Sequence, residues 1–491
     1  MRRAPAGIWP VVAVDRESPK PLYRQLYESY REAIVERRLR PGQRLPSSRS
    51  LATELGISRL PVINAFEQLL AEGYCESRVG AGTYVARSLP GEASKPKPRR
   101  EPEPLAAKPG PRPLSTSFPI PIRPPAPWFR GWGAFRAGEC DIDEFPLRLW
   151  SRLVSRYSRD PHLLRYGDRL GLPLFREVLA GYLQTARGVR CGPEQIVVVS
   201  GSQQALEISA RVLVEPGNPV WIEEPSYIGA RDALLGAGAH LVPVPVDREG
   251  LDVAAGIALC PRPRAVYLTP SHQYPLGTTM SATRRLQLLD WARKVGAWIL
   301  EDDYDSEFRF ESQPFTALQG LDRDARVIYI GTFSKVLFGS MRVGYVVVPP
   351  DLLSRVSARR AVTDIAPSTL FQAALAEFVG DGHFARHLRR MRQVYRERRN
   401  VLIAALTSEL GDRVEILGEQ AGLHLVVTLP RGFADRRLCD RAADEGLWIM
   451  PLSESYLGAA ARPGLILGYG GTATAAIPGA VRHLRALLES S

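Results

Sequence analysis

The chain has 491 residues, of which 45% are hydrophobic and 24% are charged. One compact core needs only roughly 150 residues, so this length predicts several core-sized units. The composition excludes a wholly disordered, collagen-like or coiled-coil protein. No apolar run reaches the roughly 20 residues of a membrane helix, and the N-terminus lacks the apolar stretch of a signal peptide. We therefore expect no membrane partner and a cytoplasmic location.

The formal net charge of +12 is compatible with a nucleic-acid partner, and its distribution is more informative than its size. The first 87 residues carry fourteen Lys and Arg against nine Asp and Glu. The last 378 residues are nearly balanced, with 44 basic and 40 acidic side chains. Any electrostatic contact with DNA is therefore expected in the N-terminal part.

Three helices are predicted in that part, because apolar residues recur there at helical spacing. The first begins near Leu22 and ends before Pro41, the second occupies residues 48–56, and the third occupies residues 58–73. Serines stand at the starts of the second and third helices and glycines at their ends, as helix caps favour. Two short strands follow at residues 74–77 and 83–86, around a glycine-containing turn.

By spacing alone, this segment is either a generic three-helix domain with a hairpin or a winged helix-turn-helix. Polar side chains cluster near the starts of the second and third helices, where they can bind phosphates and reach a major groove. They are Arg44, Ser48, Arg49, Ser58 and Arg59. Gly80 and Gly82 would let the turn between the strands approach a minor groove closely.

The strings RLPSSRSLATELGISR, AFEQLLAEGY and RVGAGTYVA resemble the winged helix-turn-helix of GntR-type bacterial regulators. The resemblance implies that residues 15–87 bind double-stranded promoter DNA. Pro61 stands where that family more often has a residue able to donate a hydrogen bond. Proline is tolerated in a first helical turn, because that N–H has no helical partner.

A proline-rich segment separates this domain from the rest of the chain. Residues 88–113 contain eight prolines among Glu, Lys and Arg, with hardly any large apolar side chain. Such a composition cannot bury enough surface to fold and predicts a linker. Residues 114–491 alternate helical patterns with short Val- and Ile-rich runs, which is typical of an α/β sheet.

Two apolar runs in the second region each end in chemically useful residues. Residues 297–301 lead into Asp302 and Tyr304, and residues 327–330 lead into Lys335. Open α/β sheets place ligands at the carboxyl ends of their strands, so the acid and the amine are expected to lie close together. The rival amine in this region, Lys294, belongs to a polar pattern that predicts an exposed helix face.

These residue types match the needs of pyridoxal 5'-phosphate (PLP): an amine for a Schiff base, a carboxylate for the pyridine nitrogen, and an anion cradle. Lys335 would supply the amine and Asp302 the carboxylate, and Tyr304 would hydrogen-bond the phenolic oxygen of the cofactor. Tyr227 would stack on the pyridine ring. The phosphate would be bound by a helix N-terminus and by residues around Lys335. These phosphate residues are Ser202, Gln203, Thr332, Ser334 and Arg342.

The strings LRYGDRLGLPLFREVLAGYL, TPSHQYPLGTTM, EDDYDSEF and TFSKVLFGSMRVGY resemble fold-type I aminotransferases, in order, along nearly all of residues 114–491. The resemblance implies a mixed, mostly parallel sheet and a homodimer in which Tyr166 reaches the cofactor phosphate of the partner subunit. It also makes Arg462 the candidate for binding an effector carboxylate. Tyr274 departs from the family, which usually has asparagine before this proline. A GntR-like DNA-binding domain joined to this fold resembles the domain organisation of the MocR subfamily.

The leading hypothesis is a transcription regulator that senses PLP, or an amino compound, through an internal or external aldimine. An active aminotransferase with an accessory DNA-binding domain is the alternative, and a scaffold with a vestigial cofactor site is a third possibility. No metal is expected. His383 and His387 lie four apart on a predicted helix, but the arginines around them favour a surface role over a cation site.

Overall fold

A computed structural model describes residues 14–16, 18–78, 82–89, 126–310, 315–458 and 460–490. The chain divides into two compact units, Met1–Pro113 and Leu114–Ser491. Gly80 and nearly all of the predicted linker lie outside the described residues, as does the start of the second predicted domain. The two units are described separately below.

The small unit contains three helices and a two-stranded antiparallel sheet, as the sequence predicts. Ser47 caps the second helix, because its side chain accepts a hydrogen bond from the N–H of Ser50 at 3.1 Å. Leu26, Tyr30, Val62 and Leu69 form part of the buried core between the first and third helices. The elements are α1 (Leu22–Val35), α2 (Ser48–Glu54), α3 (Arg59–Ala71), β1 (Cys75–Arg78) and β2 (Gly82–Val85).

The large unit is an α/β structure built on an eight-stranded sheet. Its described helices are α4 (Leu147–Tyr157), α5 (Pro173–Arg187), α6 (Ser202–Leu213), α7 (Ile228–Gly236), α8 (Val253–Leu259), α9 (Ala282–Val295), α10 (Leu318–Leu321), α11 (Leu353–Asp364), α12 (Thr369–Gly380), α13 (His383–Leu410), α14 (Asp435–Asp444) and α15 (Ile477–Glu489). The strands of the large sheet are β3 (Ile196–Val199), β4 (Pro219–Glu224), β5 (His240–Asp247), β6 (Gly250–Leu251), β7 (Ala265–Leu268), β8 (Trp298–Asp303), β9 (Val327–Thr332) and β10 (Gly344–Val347).

The strand order across this sheet is β3-β10-β9-β8-β7-β4-β5-β6. Neighbouring strands from β9 to β5 are parallel, whereas β10 runs antiparallel to both β3 and β9, and β6 runs antiparallel to β5. The predicted mixed, mostly parallel sheet is thus confirmed. Strands β7 and β9 are buried along their whole length, which explains why they read as continuous apolar runs rather than alternating ones.

A second sheet of four antiparallel strands has the order β11-β12-β14-β13. Its strands are β11 (Ile416–Leu417), β12 (His424–Thr428), β13 (Met450–Pro451) and β14 (Gly464–Gly468). None of the helices in the described ranges combines the length and hydropathy that crossing a membrane requires.

The long helix α13 corrects one expectation. His387 is only 6% exposed, and its Nε2 lies 3.2 Å from the carbonyl oxygen of Val336, so the predicted surface role is wrong for this residue. The apolar residues at helical spacing on α13 bury one of its faces, and His387 lies on that face. Within the described part of the chain, no group of three or more His, Cys, Asp or Glu could hold a metal.

Candidate functional site

A cavity of about 360 Å³ lies in the large unit, beside the carboxyl ends of β7, β8 and β9. Five of the residues predicted to bind a cofactor line it together: Ser202, Tyr227, Asp302, Tyr304 and Lys335. Asp302 and Tyr304 come from the end of β8, Lys335 follows β9, and Ser202 and Tyr227 stand at the starts of α6 and α7. The parallel register brings these strand ends to one edge of the sheet.

Asp302 stands near the end of β8, with 4% of its surface exposed. Its Oδ2 accepts a hydrogen bond from the hydroxyl of Tyr267 on β7 at 3.0 Å, whereas its buried Oδ1 has no partner among the described residues. Burial raises the pKa of Asp302 to about 7, although the Tyr267 hydrogen bond opposes the shift. Because the charged form is disfavoured, this carboxyl group is suited to a cationic partner that would restore its charge.

Lys335 follows β9, the strand next to β8 in the sheet. Its Nζ donates a hydrogen bond to the carbonyl oxygen of Gly138 at 2.9 Å. Gly138 has a φ of +80°, and a Cβ there would collide with the lysine amine. Glycine is therefore required both by the backbone conformation and by the closeness of the amine.

Tyr304 is bound by a buried histidine rather than by a neighbour in sequence. Its hydroxyl oxygen lies 3.0 Å from Nδ1 of His272, which is also 3.0 Å from both carboxylate oxygens of Asp305. The carboxylate favours the tautomer with hydrogen on Nδ1, which donates to Asp305, so Nδ1 cannot accept a hydrogen bond from the Tyr304 hydroxyl. The hydrogen of the Tyr304 hydroxyl can then be donated into the cavity.

A cradle for an anion lies at the start of α6. Gly201 precedes this helix with a φ of +113°, and the guanidinium of Arg342 would be 3.2 Å from a Cβ on Gly201. The N-terminal N–H groups of a helix and an arginine attract negative charge. Near Lys335, Thr332 Oγ1 accepts a hydrogen bond from the N–H of Ser334 at 3.1 Å, and the buried Oγ of Ser334 has no partner among the described residues.

Aromatic rings form another wall of the cavity. Tyr227 and Tyr274 pack edge to face with their centroids 5.8 Å apart, and Tyr274 packs similarly on Tyr304 at 6.0 Å. Gln203 does not line the cavity, but its Oε1 lies 3.4 Å from the Tyr227 hydroxyl, within reach of a hydrogen bond that orients the ring. Burial raises the pKa of Tyr227 to about 12, so its hydroxyl stays protonated at neutral pH.

Several predicted site residues do not belong to the lining of this cavity: besides Gln203, they are Thr332, Ser334, Arg342, Tyr166 and Arg462. Tyr166 is 87% exposed and does not line the cavity. Arg462 is also absent from the lining, and its exposed side chain is paired with Glu415 at 2.5 Å. The predicted role of Tyr166 in a partner subunit stays a prediction, because the structure describes a single chain.

Sequence reasoning missed three residues that shape the site: Tyr267, His272 and Gly138. Tyr267 stands on β7, the strand next to that of Asp302. It lies within a buried apolar run, so the sequence around it does not indicate a polar role. His272 belongs to the string TPSHQYPLGTTM, so a histidine within a matched motif was the available signal. Gly138 is 197 positions from Lys335 along the chain, and nothing in its local sequence indicates the contact.

In the small unit, four of the residues predicted to contact DNA form an exposed basic surface at the starts of α2 and α3. Arg44, Arg49, Ser58 and Arg59 are exposed, and Arg59 Nε donates to Ser48 Oγ at 3.0 Å. Gly82, at the start of β2, is exposed and lies beside the Arg44 guanidinium. The arrangement leaves cationic groups and helix N-termini available to phosphates.

Comparisons with known families agree with this division. Residues 22–85 match the model of bacterial regulatory proteins of the gntR family. Residues 135–465 match the model of aminotransferase class I and II. Each match lies within one of the two compact units.

Two relatives match nearly the whole of this chain, and one solved structure matches about three quarters of it. The probable rhizopine catabolism regulatory protein MocR of Rhizobium meliloti is 42% identical over 98% of this chain and 97% of its own length. The pyridoxine biosynthesis transcriptional regulator PdxR of Corynebacterium glutamicum is 30% identical over 94% of each chain. Among solved structures, the α-aminoadipate aminotransferase LysN of Thermus thermophilus, complexed with N-(5'-phosphopyridoxyl)-L-leucine, is 30% identical, with a TM-score of 0.69 over 74% of this chain and 93% of its own.

Proposed function

The chain belongs to the MocR-type transcription regulators, in which a GntR DNA-binding domain precedes an aminotransferase class I and II domain, and on this premise we propose that it binds PLP through Lys335 and senses an amino compound there. The small unit binds promoter DNA, and the large unit reports the state of its cavity to it. A homodimer would place Tyr166 of each chain near the cofactor phosphate of the other.

The proposal rests on one observation: a buried carboxylate oxygen of Asp302, which has no hydrogen-bond partner among the described residues, lines the same cavity as an amine that follows the neighbouring strand. A protonated pyridine nitrogen would provide Asp302 Oδ1 with a hydrogen bond and its carboxylate with a countercharge. When bound, PLP supplies an aldehyde that forms a Schiff base with amines and a ring that withdraws electrons.

The remaining residues orient the cofactor. Tyr304 would donate its hydroxyl hydrogen to the phenolic oxygen, since His272 Nδ1, 3.0 Å away, donates to Asp305 and cannot accept that hydrogen. Tyr227 would pack against the ring, and Gln203 would orient Tyr227. Ser202, Thr332, Ser334 and Arg342 would contact the phosphate. Ser202 stands at the positive end of α6, and the Arg342 guanidinium lies beside Gly201, which precedes that helix.

The regulatory step requires a difference in affinity, because a ligand shifts an equilibrium only by binding one state more tightly. An amine that displaces Lys335 from the cofactor releases its side chain to interact elsewhere. The carbonyl oxygen of Gly138 accepts a hydrogen bond from Nζ at 2.9 Å and belongs to the segment before α4. A change in the position of the lysine side chain would therefore be transmitted first to this segment.

The direct test is the absorbance of the purified protein between about 300 and 500 nm, before and after borohydride reduction, with the reduced residue located by mass spectrometry. We expect a Schiff-base band and a reduced adduct on Lys335. Lys335→Ala should abolish the band, whereas Lys294→Ala, on the exposed face of α9, should retain it. A band that persists in Lys335→Ala would overturn the assignment.

Catalytic transamination is the second candidate, and the likeness of the large unit to LysN favours it. Tyr274, which stands where true aminotransferases usually have asparagine, opposes it. Sustained formation of a keto acid from an amino donor and a keto acceptor, absent in Lys335→Ala, would establish turnover. An effect of the amino donor on DNA affinity without keto-acid formation would establish sensing alone.

A further inference from the structure

The cavity wall that is left for an effector is apolar. Once the residues proposed for the cofactor are set aside, this wall includes Phe129, Ile228, Leu423 and Met450. The hydroxyl of Tyr274 faces the sulfur of Met450 at 4.0 Å and can turn to a ligand. Most of this surface therefore offers packing, with a few uncharged polar atoms.

The ionisable groups of the same wall do not favour an anion. Among the described residues that line the cavity, these groups are Asp302, Asp305, Lys335 and His424, besides tyrosines. Burial, aided by the nearby His272, lowers the pKa of His424 to about 3, so its ring is neutral at physiological pH. In our proposal Lys335 and Asp302 are both committed to the cofactor, and Asp305 is bound by His272, so no cation of this wall remains to pair with an anion.

No arginine belongs to the described lining of this cavity. The guanidinium of Arg342 lies beside Gly201, at the anion cradle of α6. Arg462 has 52% of its side chain exposed and is paired with Glu415. A carboxylate on the effector would therefore be buried against an apolar and partly acidic wall without a cationic partner, which is costly.

From this wall, and resting on the proposed function of the same site, we propose that the effector is a primary amine without a carboxylate, such as an amine or an amino alcohol. Its amine would exchange with Lys335, and its body would contact the apolar side chains and the Tyr274 hydroxyl. A neutral hydroxymethyl group can share a hydrogen bond with that hydroxyl without a buried charge.

The test compares pairs of ligands that differ only in the carboxylate: L-phenylalaninol with L-phenylalanine, L-leucinol with L-leucine, and L-alaninol with L-alanine. Each is titrated into the full-length protein with PLP bound, and the change of the Schiff-base absorbance is recorded. We expect the amino alcohols to reach half-maximal change at concentrations at least about tenfold lower than their amino acids. Equal or tighter binding of the amino acids overturns the proposal. The proposal is also overturned if none of the three amino alcohols changes the Schiff-base absorbance.

Substitution of Arg462, the arginine that the sequence suggested for binding a carboxylate, is an independent test. Arg462→Gln should leave the affinities for both members of each pair unchanged, as should its matched control Glu415→Gln, because both side chains lie outside the cavity lining. A selective loss of amino-acid binding in Arg462→Gln, not seen in Glu415→Gln, would show that this arginine binds a carboxylate and would overturn the proposal.

Failure of the underlying function gives a different result. If PLP forms no Schiff base on Lys335, the absorbance band is absent before any amine is added. If the band is present and the ligand series prefers carboxylates, the cofactor site stands and only the effector class is wrong.

Discussion

The two units carry two different kinds of binding surface. The small unit presents arginines and helix N-termini at its surface, within one stretch of chain from Arg44 to Gly82. The large unit arranges a buried carboxyl group, a half-buried amine and several tyrosines around a cavity, and these residues come from elements far apart in the chain. The first surface is formed by one local stretch of chain and is exposed to solvent, whereas the second is a cavity assembled from distant segments.

DNA binding by the small unit and ligand binding by the large unit therefore depend on different sources of binding energy. Exposed cations bind phosphates through charge that salt screens, and each contact contributes little by itself. Buried polar groups are costly unless they are paired, so removal of one partner has a large effect. Substitutions of buried, paired groups should therefore have larger effects than substitutions of exposed charges.

Asp302→Asn should weaken PLP binding by about 100-fold, because a charge-assisted hydrogen bond to a buried partner is worth about 3 kcal/mol. The measurement is a PLP titration followed by Schiff-base absorbance. Asp290→Asn, on the exposed surface of α9, is the matched control and should bind PLP normally. Normal PLP affinity in Asp302→Asn would contradict the role of Asp302.

His272→Ala should destabilise the large unit by about 2 kcal/mol, since Asp305 and the Tyr304 hydroxyl would lose their buried partner. Chemical denaturation followed by tryptophan fluorescence measures this effect, because seven of the eight tryptophans lie in residues 126–490. His162→Ala, at an exposed position, should change the free energy of unfolding by less than about 0.5 kcal/mol. Equal effects of the two substitutions would show that the contacts around His272 do not stabilise the protein.

The two units should respond to pH in opposite directions. Burial raises the pKa of Glu223, Glu301 and Asp302 to about 7, so these groups favour the folded state when protonated, and this contribution is lost as pH rises through about 7. In the small unit, hydrogen bonds from Lys20 and Tyr27 lower the pKa values of Glu28 and Glu72, whose contribution is lost on acidification.

For the protein stripped of cofactor, we therefore expect the melting temperature reported by tryptophan fluorescence to fall by a few degrees between about pH 5 and pH 8. Saturating PLP should reduce this fall, because a cation beside Asp302 favours its charged form. A melting temperature that rises across this range would contradict the raised pKa values.

The smallest effect is expected at the DNA surface. Arg49→Ala should reduce the slope of log affinity against log salt by about 1 and weaken DNA binding a few-fold, uniformly across sequences. Fluorescence anisotropy at several salt concentrations measures both quantities. Arg38→Ala removes the same charge from the same unit, but its side chain pairs with Glu32 and Glu36 away from the helix starts, and it should leave the slope unchanged. Identical slopes for the two variants would place the phosphate contact elsewhere.

Much of the large site could be predicted because its key residues closely follow apolar runs. Asp302 comes directly after one such run and Lys335 stands five residues after the other, and the parallel pairing of β8 with β9 brings them together as expected. The contacts of Gly138 and Tyr267 could not be predicted, because neither residue differs in its local pattern from an ordinary turn or strand residue. Arg462 shows the opposite case. Its residue type and its position before β14 suggested a carboxylate-binding role, but in the structure its side chain pairs with Glu415.

The amino-acid sequence by itself determined the two units, the family of each, the serine cap of α2 and the strand-end position of the acid and the amine, because these depend on local periodicity and on short motifs. The capping expected of Ser58 at α3 is not found, since its side chain makes no capping hydrogen bond. The tertiary structure alone decided which partners the buried groups have. The pairing of Tyr304 with His272, the position of Lys335 over Gly138, and the charge of the cavity wall depend on contacts between distant segments. Such contacts follow from the packing of the whole sheet, which no short stretch of sequence specifies.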